Sequence, residues 1–356
     1  MADIYKVAIR NFLLLQCKLL TTHQIQMLKN IAIVAGGDSS EYIVSVSSAS
    51  NIKKSLDKKL YKPWLITIRG DRWVYGSLDE PEAEIDKNDF SFSISGVKTK
   101  FDCAFISIHG SPGEDGKLQA YFDLIGIPYT TCGVLTSALT FNKYACKGFL
   151  NSFGILSPKA MLVRKGYKFE PKKIADEIGM PCFIKPNNGG SSFGVTRVSE
   201  ESEIKNAINK AFKEDNEVII EELITGIELT GGVIKTKKRE LLLPLTEIVS
   251  KNEFFDFNAK YKREADEITP ARIPDNLTKE CRGITSFIYD LLDCRGIVRI
   301  DYILNDGKFY FLEVNTVPGM TDTSIIPQQA EAMGLNTVDL FTMAIEDAIL
   351  NTKKSN

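Results

Sequence analysis

From Ile31 onward, short β-rich runs alternate with stretches of helical character, and that alternation is what most limits the folds open to this chain. Ile31–Ala35 predicts a first strand ending in Gly36-Gly37, with a helix following to about Leu60. Trp64–Ile68 and Cys103–Ile108 predict two more strands, the latter running into His109-Gly110, and Gly116–Ile125 predicts a helix. This order gives an open α/β domain that ends near Gly133. Two helical stretches over about 134–153 come next, then a strand at Ala160–Val163, a helix over 171–178 and a strand at Pro181–Lys185. A Gly/Ser loop, a return strand, a helix over about 200–213 and the strand Glu217–Glu222 complete the middle of the chain.

The last third has α+β character. Long β segments at Ile227–Ile234 and Glu240–Val249 flank the basic turn Lys235–Arg239, which reads as a solvated hairpin tip. Residues 251–275 are irregular and contain Phe254-Phe-Asp-Phe-Asn-Ala-Lys-Tyr261, a candidate lid. A helix over about 276–293 leads to paired strands at Gly296–Leu304 and Phe309–Asn315, and two helices close the chain. With 356 residues, two or three domains are expected.

Composition removes several function classes. Forty-four Lys and Arg against 46 Asp and Glu leave a net charge of −2, which argues against nucleic acid as a partner. No apolar run reaches the roughly 18–20 residues of a membrane span, so no membrane partner is expected either. The seven cysteines are odd in number, lack any C-x-x-C spacing and sit in apolar runs; they read as reduced core thiols of a cytoplasmic protein. Histidine occurs only as His23 and His109, too few for a zinc-hydrolase site. Positions 1–28 carry a short apolar stretch broken by Gln16 and Lys18, with no cleavage site; they are expected to be an extension outside the fold, from an upstream start codon, because Met27 precedes Lys29–Val34, which reads as the natural start of the first strand.

Several motifs can be refused. No P-loop spacing is present, and Gly36-Gly37 lacks the third glycine of a dinucleotide fingerprint. Gly190-Ser-Ser-Phe-Gly194 matches G-x-S-x-G, but strand rather than helix follows it and no histidine comes later, so the hydrolase reading fails. What remains is Asn187–Gly194, a loop rich in backbone N–H and hydroxyl donors with Lys185 at its base. It can fold over a polyphosphate, and it can equally be an ordinary Gly-rich hairpin.

The C-terminal hairpin is more informative. A three-residue loop over Asn305-Asp-Gly307, with Gly307 left-handed, would pair 304 with 308 and 301 with 311. Arg299, Asp301, Glu313 and Asn315 would then share one face, opposite Val298, Ile300, Leu312 and Val314. A two-residue Asp-Gly turn would shift the register by one and scatter them. Two carboxylates and an amide without His or Cys suit a hard cation, Mg²⁺ or Mn²⁺, shared with phosphate oxygens; the bland reading is a solvated polar face. Asn315-Thr-Val-Pro-Gly319 then leaves the strand with a glycine N–H free to face an oxyanion, or is only a Pro-Gly turn.

These pieces in this order resemble the ATP-grasp superfamily and, within it, the D-alanine–D-alanine ligase family, from about Ile31 to about Leu350. The segments that carry the likeness are Gly36-Gly-Asp-Ser-Ser-Glu41, His109-Gly-Ser-Pro-Gly-Glu-Asp-Gly116, Ile184–Gly194, Ala259-Lys-Tyr261, Arg299-Ile-Asp301 and Leu312–Thr321. The resemblance implies an ATP-grasp fold of three domains with an open α/β N-terminal domain: 29–132 for substrate, 133–221 with the phosphate-covering loop, and 222–356 with the metal site and lid. It implies ATP-dependent ligation of two D-alanines for peptidoglycan precursors. It also implies two Mg²⁺ (or Mn²⁺) ions per site, a cytoplasmic location and a homodimer.

By the same resemblance, Lys143, Lys185, Ser191, Ser192 and Gly194 look like ATP-phosphate contacts. Glu221, Glu222 and Ile224 resemble the adenine hinge, Glu228 the ribose contact, and Lys260 a lid lysine. Asp301, Glu313 and Asn315 look like the metal ligands. Glu41 looks like the residue meeting the first D-alanine's ammonium, within a triad with Ser191 and Tyr261, and His109 lies by that substrate. Arg299 and the Gly319 N–H resemble the groups that stabilise the tetrahedral intermediate, and Ser324 the one that binds the second substrate's carboxylate. Two departures stand out: Tyr42-Ile43 follows Glu41 where many relatives have His-Glu, and Tyr261 rather than Phe resembles dipeptide-forming members. A D-alanyl-D-lactate ligase, another carboxylate–amine ligase and a non-catalytic ATP-binding module are the competing readings.

Overall fold

The computed structural model of the chain describes residues 28–190, 193–250 and 265–352. Its first layer holds β1 (Lys29–Gly36), α1 (Tyr42–Ser55), β2 (Tyr61–Arg69), β3 (Arg72–Gly76), β4 (Pro81–Glu84), β5 (Phe92–Ile94), β6 (Val97–Thr99), β7 (Cys103–Ile106) and α2 (Lys117–Ile125). β1 runs parallel to both β2 and β7, as the continuous apolar run Ile31–Ala35 requires of a strand covered on both faces. Ile31, Ile33 and Ala35 pack against Ala49 and Ile52 of α1, while Ala32 and Val34 pack against Phe90 and Phe122. The antiparallel strands β3 and β4, absent from the sequence reading, extend one edge to give the order β4-β3-β2-β1-β7. They are short and flanked by charge, so their periodicity is weak.

The second layer comprises α3 (Val134–Phe141), α4 (Lys143–Asn151), β8 (Ala160–Arg164), α5 (Pro171–Ile178), β9 (Cys182–Pro186), β10 (Thr196–Val198), α6 (Ile204–Ala211) and β11 (Glu217–Glu222). Its sheet is antiparallel, in the order β10-β9-β11-β8. Strand alternation turns Cys182 and Ile184 toward Ile174 and Ile208 in the core beneath α5 and α6, which leaves Phe183 and Lys185 on the opposite face.

The third layer comprises β12 (Ile227–Lys235), β13 (Glu240–Leu242), β14 (Thr246–Ser250), β15 (Ala265–Ile268), α7 (Asp275–Leu291), β16 (Ile297–Asn305), β17 (Lys308–Asn315), α8 (Ile325–Ala332) and α9 (Thr337–Thr352). Its strands lie in the order β15-β14-β12-β16-β17, with β13 pairing β12. The single segment expected at Glu240–Val249 is two strands, because Pro244 has no N–H to give the ladder. Part of the stretch expected to be irregular is the strand β15; the remainder, 251–264, lies outside the described residues. α9 returns to the first layer, where Phe341 meets Phe105 with ring centroids 5.4 Å apart.

The β16–β17 hairpin differs from expectation in an instructive way. Asn305 pairs with Lys308, so the turn has two residues, Asp306 and Gly307, both at positive φ (46° and 72°) as a type I′ turn demands. Leu304 therefore faces Phe309, not residue 308. By itself this register would put Asp301 and Glu313 on opposite faces. A β-bulge beyond Tyr302 and Phe311 restores them: Asp301 pairs with Glu313, not with residue 311, and Arg299 pairs with Asn315. The extra residue is Leu312, which turns to the polar face beside Glu313 instead of lying opposite it, while Phe309, Phe311 and Val314 stay in the core.

Gly296 joins the first and third layers. Its φ is +66°, and a Cβ there would lie 1.9 Å from the Thr130 carbonyl oxygen, whereas Gly307 has open space around it. Gly307→Ala is expected to cost roughly 1 kcal/mol from the left-handed backbone alone. Gly296→Ala adds a clash that raises the cost to roughly 2–4 kcal/mol. Denaturation midpoints compare them, and equal shifts would rule out the close approach.

Candidate active site

A cavity of about 230 Å³ lies where the second and third layers meet. Phe183, Ile224, Ile248, Ile303 and Leu312 give it apolar walls suited to a flat ring, and Lys143, Lys185, Glu221, Glu228, Asp301 and Glu313 line its polar part. The third-layer side chains reach it because Glu228 and Thr230 alternate on β12 directly across from Ile303 and Asp301 on β16. The expected hinge residues Glu221, Glu222 and Ile224 also line it.

Glu221, Asp301 and Glu313 in the polar part are each matched by a cation, from another element for Glu221 and Glu313 and from the same strand for Asp301. Lys143, the first residue of α4, places Nζ 3.1 Å from Glu313 Oε2 and also donates to the Gly189 carbonyl of the glycine-rich loop. Lys185 Nζ lies 2.7 Å from Glu221 Oε2. Arg299 donates twice to Asp301, at 2.9 and 2.7 Å. Asn315 Nδ2 donates to the same carboxylate at 3.1 Å, and the Thr230 hydroxyl donates to its other oxygen. Burial pushes the Glu313 carboxyl up, but Lys143, Lys185 and Arg299 outweigh burial and hold it well below its ordinary range. Burial likewise opposes ionisation of Glu221, yet Lys147 and Lys185 bring it down to about 2. Asp301 in turn raises the pKa of Arg299 despite its burial.

At the other end of the site, Glu41 precedes α1 and is buried with its carboxylate against Gly190 of the loop; a Cβ on Gly190 would lie 2.8 Å from Glu41 Oε2. His109 is buried, and its carbonyl accepts from Ser39 at 2.8 Å. Ser324 stands just before α8, and its Oγ lies 2.7 Å from Thr321 Oγ1. A Cβ on Gly319 would lie 2.9 Å from that same Oγ, so the turn and the helix start are in contact. Two bonds fasten this corner to α1: Asn51 Nδ2 donates to the Met320 carbonyl at 2.7 Å, and Met320 N donates to Ser48 Oγ at 3.2 Å.

Gly194 does not line the cavity; it is left-handed at φ +73° and faces Pro186 and Glu214. Ser191, Ser192, Lys260 and Tyr261 lie outside the described residues. The sequence reading missed Thr230 and Lys147, although alternation from Glu228 could have found the first. The signal for Lys147 is a lysine one helical turn after Lys143 beside the apolar Cys146 and Leu150. It also assigned no role to Glu114, whose carboxyl is pushed up to about 8 by burial and by the neighbouring charge of Glu41.

Asp301 and Glu313 face each other across the ladder and Asn315 reaches Asp301 from the neighbouring pair, an oxygen donor set that fits a hard divalent cation. Among the described residues no group of three or more His, Cys, Asp and Glu side chains is placed to hold a metal by itself. A cation here would therefore complete its shell with ligand oxygens.

The three layers and the cleft between the second and third define the ATP-grasp fold, which solved relatives share. The chain belongs to the D-alanine–D-alanine ligase family. Family models described as D-ala D-ala ligase N-terminus and C-terminus match residues 30–132 and 149–346. A D-alanine–D-alanine ligase of Phocaeicola vulgatus is 51% identical over 322 residues, covering 90% of this chain and 99% of the relative. The crystal structure of the VanG D-Ala:D-Ser ligase from Enterococcus faecalis is 31% identical with a TM-score of 0.78, covering 92% of this chain and 100% of that one. A Bacillus anthracis D-alanine–D-alanine ligase complexed with ATP is 28% identical with a TM-score of 0.73, covering 92% and 99%.

The ion pairs predict a pH response. A Glu221 carboxyl held at about 2, against 4.5 ordinarily, stabilises the fold above about pH 4.5 by about 3 kcal/mol, and that contribution vanishes as pH falls toward 2. The stability gap between the native chain and Glu221→Gln should therefore narrow over that window. Denaturation midpoints between pH 2 and 6 measure it; a constant gap would count against the buried ion pair.

Proposed function

We propose that the chain joins two D-alanine molecules into D-alanyl-D-alanine at the expense of ATP, for peptidoglycan precursor synthesis. One observation carries the reading: Asp301 and Glu313 face each other beside Lys143, Lys185 and Arg299, in a cleft with an apolar end. A carboxylate condenses with an amine in water only when its oxygen becomes a leaving group. ATP phosphorylates the first D-alanine to an acyl phosphate, and the amine of the second then displaces phosphate.

In this reading Phe183, Ile224 and the hinge acids Glu221 and Glu222 take the adenine, and Glu228 takes the ribose. Lys143 and Lys185 leave their carboxylate partners for phosphate oxygens, helped by Ser191, Ser192 and Gly194 in the loop and by Lys260 in the lid. Asp301, Glu313 and Asn315 would hold Mg²⁺ (or Mn²⁺), two ions in the family, which neutralise and align the phosphates. Glu41, in a triad with Ser191 and Tyr261, receives the first substrate's ammonium, with His109 beside it. Ser324 receives the second substrate's carboxylate, and Arg299 with the Gly319 N–H bears the developing oxyanion. A closing lid keeps water from the acyl phosphate.

The three domains 29–132, 133–221 and 222–356 divide this labour, with 1–28 outside it. Family likeness supports a homodimer and a cytoplasmic location; among the described residues no helix is long and apolar enough to cross a membrane. A second reading, D-alanyl-D-lactate synthesis, shares the first half-reaction and differs in the second substrate, whereas another ATP-grasp ligation would activate a different carboxylate.

Phosphate release and mass-spectrometric product identification with ATP, Mg²⁺ and D-alanine test the proposal. Release that ignores D-alanine would eliminate it. Glu313→Ala is expected to abolish turnover with the fold retained by circular dichroism, and near-normal activity would remove its metal role. Tyr261→Phe should raise depsipeptide over dipeptide when D-lactate competes with D-alanine; an unchanged product ratio would refute that assignment.

A further inference from the structure

We propose that Lys147 is a positioning residue for the nucleotide, a permanent buried counter-ion that keeps Glu221 charged and aimed at the adenine amino group while Lys185 serves the phosphates. The proposal rests on the reading of Glu221 and Lys185 as nucleotide contacts. Lys147 lies one turn after Lys143 on α4, and its side chain is 3% exposed. Its Nζ is 3.0 Å from Glu221 Oε1, 3.2 Å from the Phe311 carbonyl it donates to, and 5.6 Å from the centre of the Phe311 ring. Around it, Cys146 and Leu150 are apolar and buried.

Packing alone does not explain an ammonium there, because a buried charge is costly without a partner and an apolar side chain of similar length would fill the space. The explanation lies in the two oxygens of Glu221. Oε2 is taken by Lys185, the lysine that lines the cleft, and Oε1 by Lys147, which does not line it. Phosphate oxygens compete for Lys185 once nucleotide enters. Without Lys147, Glu221 would then be a buried carboxylate stripped of its cation, at the moment when its charge is needed to accept a hydrogen bond from the base. The Phe311 carbonyl and ring hold the ammonium where it is, next to the bulge that aligns the metal ligands, so it cannot follow the phosphates.

Kinetics with ATP and with inosine triphosphate, whose ring carries an oxygen in place of the amino group, test the idea in Lys147→Met, Lys147→Arg and Glu221→Gln. A charged hydrogen-bond partner is worth roughly tenfold or more in affinity. Lys147→Met should raise KM for ATP by about that factor, leave kcat at saturating ATP within a few-fold, and change KM for inosine triphosphate little. Lys147→Arg should recover most of the loss. Equal increases in both KM values would overturn the proposal, since a merely structural role would not distinguish the bases. A narrowed preference in Glu221→Gln but not in Lys147→Met would overturn Lys147 alone; an unchanged preference in Glu221→Gln would overturn the adenine reading with it. Should Lys147→Met not fold, Lys147→Gln, uncharged but able to bond the Phe311 carbonyl, reads the same ratio.

Discussion

One inserted residue governs the arrangement of the site. The type I′ turn at Asp306-Gly307 sets a register that separates Asp301 from Glu313, and Leu312 slips that register back by one. Past the bulge the two carboxylates face one another, Arg299 faces Asn315, and Phe309, Phe311 and Val314 all remain in the core. The bulge thus satisfies two demands that a regular hairpin would set against each other: an apolar face continuous with the core, and a polar face gathered at one end.

Around that hairpin, charge is balanced between layers. Lys143 from the second layer meets Glu313 from the third, while Lys147, Lys185 and Glu221 close a second set within the second layer. Glu221 and Glu313 are held ionised by the cations that face them, which offset the cost of burying their charge. On the proposed reading, Lys143 and Lys185 are held by Glu313 and Glu221 in reserve for the nucleotide's phosphates.

The ends of the site are tied through the first layer. α1 carries Glu41 at its start and, further along, Ser48 and Asn51 grip Met320 in the turn after β17. The elements read as meeting the first substrate's ammonium and the developing oxyanion are therefore bonded directly to each other. α9 reinforces this by packing from the chain's end onto the sheet where the chain's described part begins.

The sequence by itself determined the layer order, most element positions and the residue types of the site, because apolar periodicity and glycine placement are local properties. It also told that Arg299, Asp301, Glu313 and Asn315 would gather, although by a loop of the wrong length. Only the tertiary structure decided how they gather. The choice between a longer loop and a tight turn with a bulge depends on where Phe309, Phe311 and Val314 find room in the core, and that depends on the partner layer. Alternation and helical spacing place Thr230 and Lys147 on the right faces, but their roles came only from the carboxylates of Asp301 and Glu221 that the fold brings within reach.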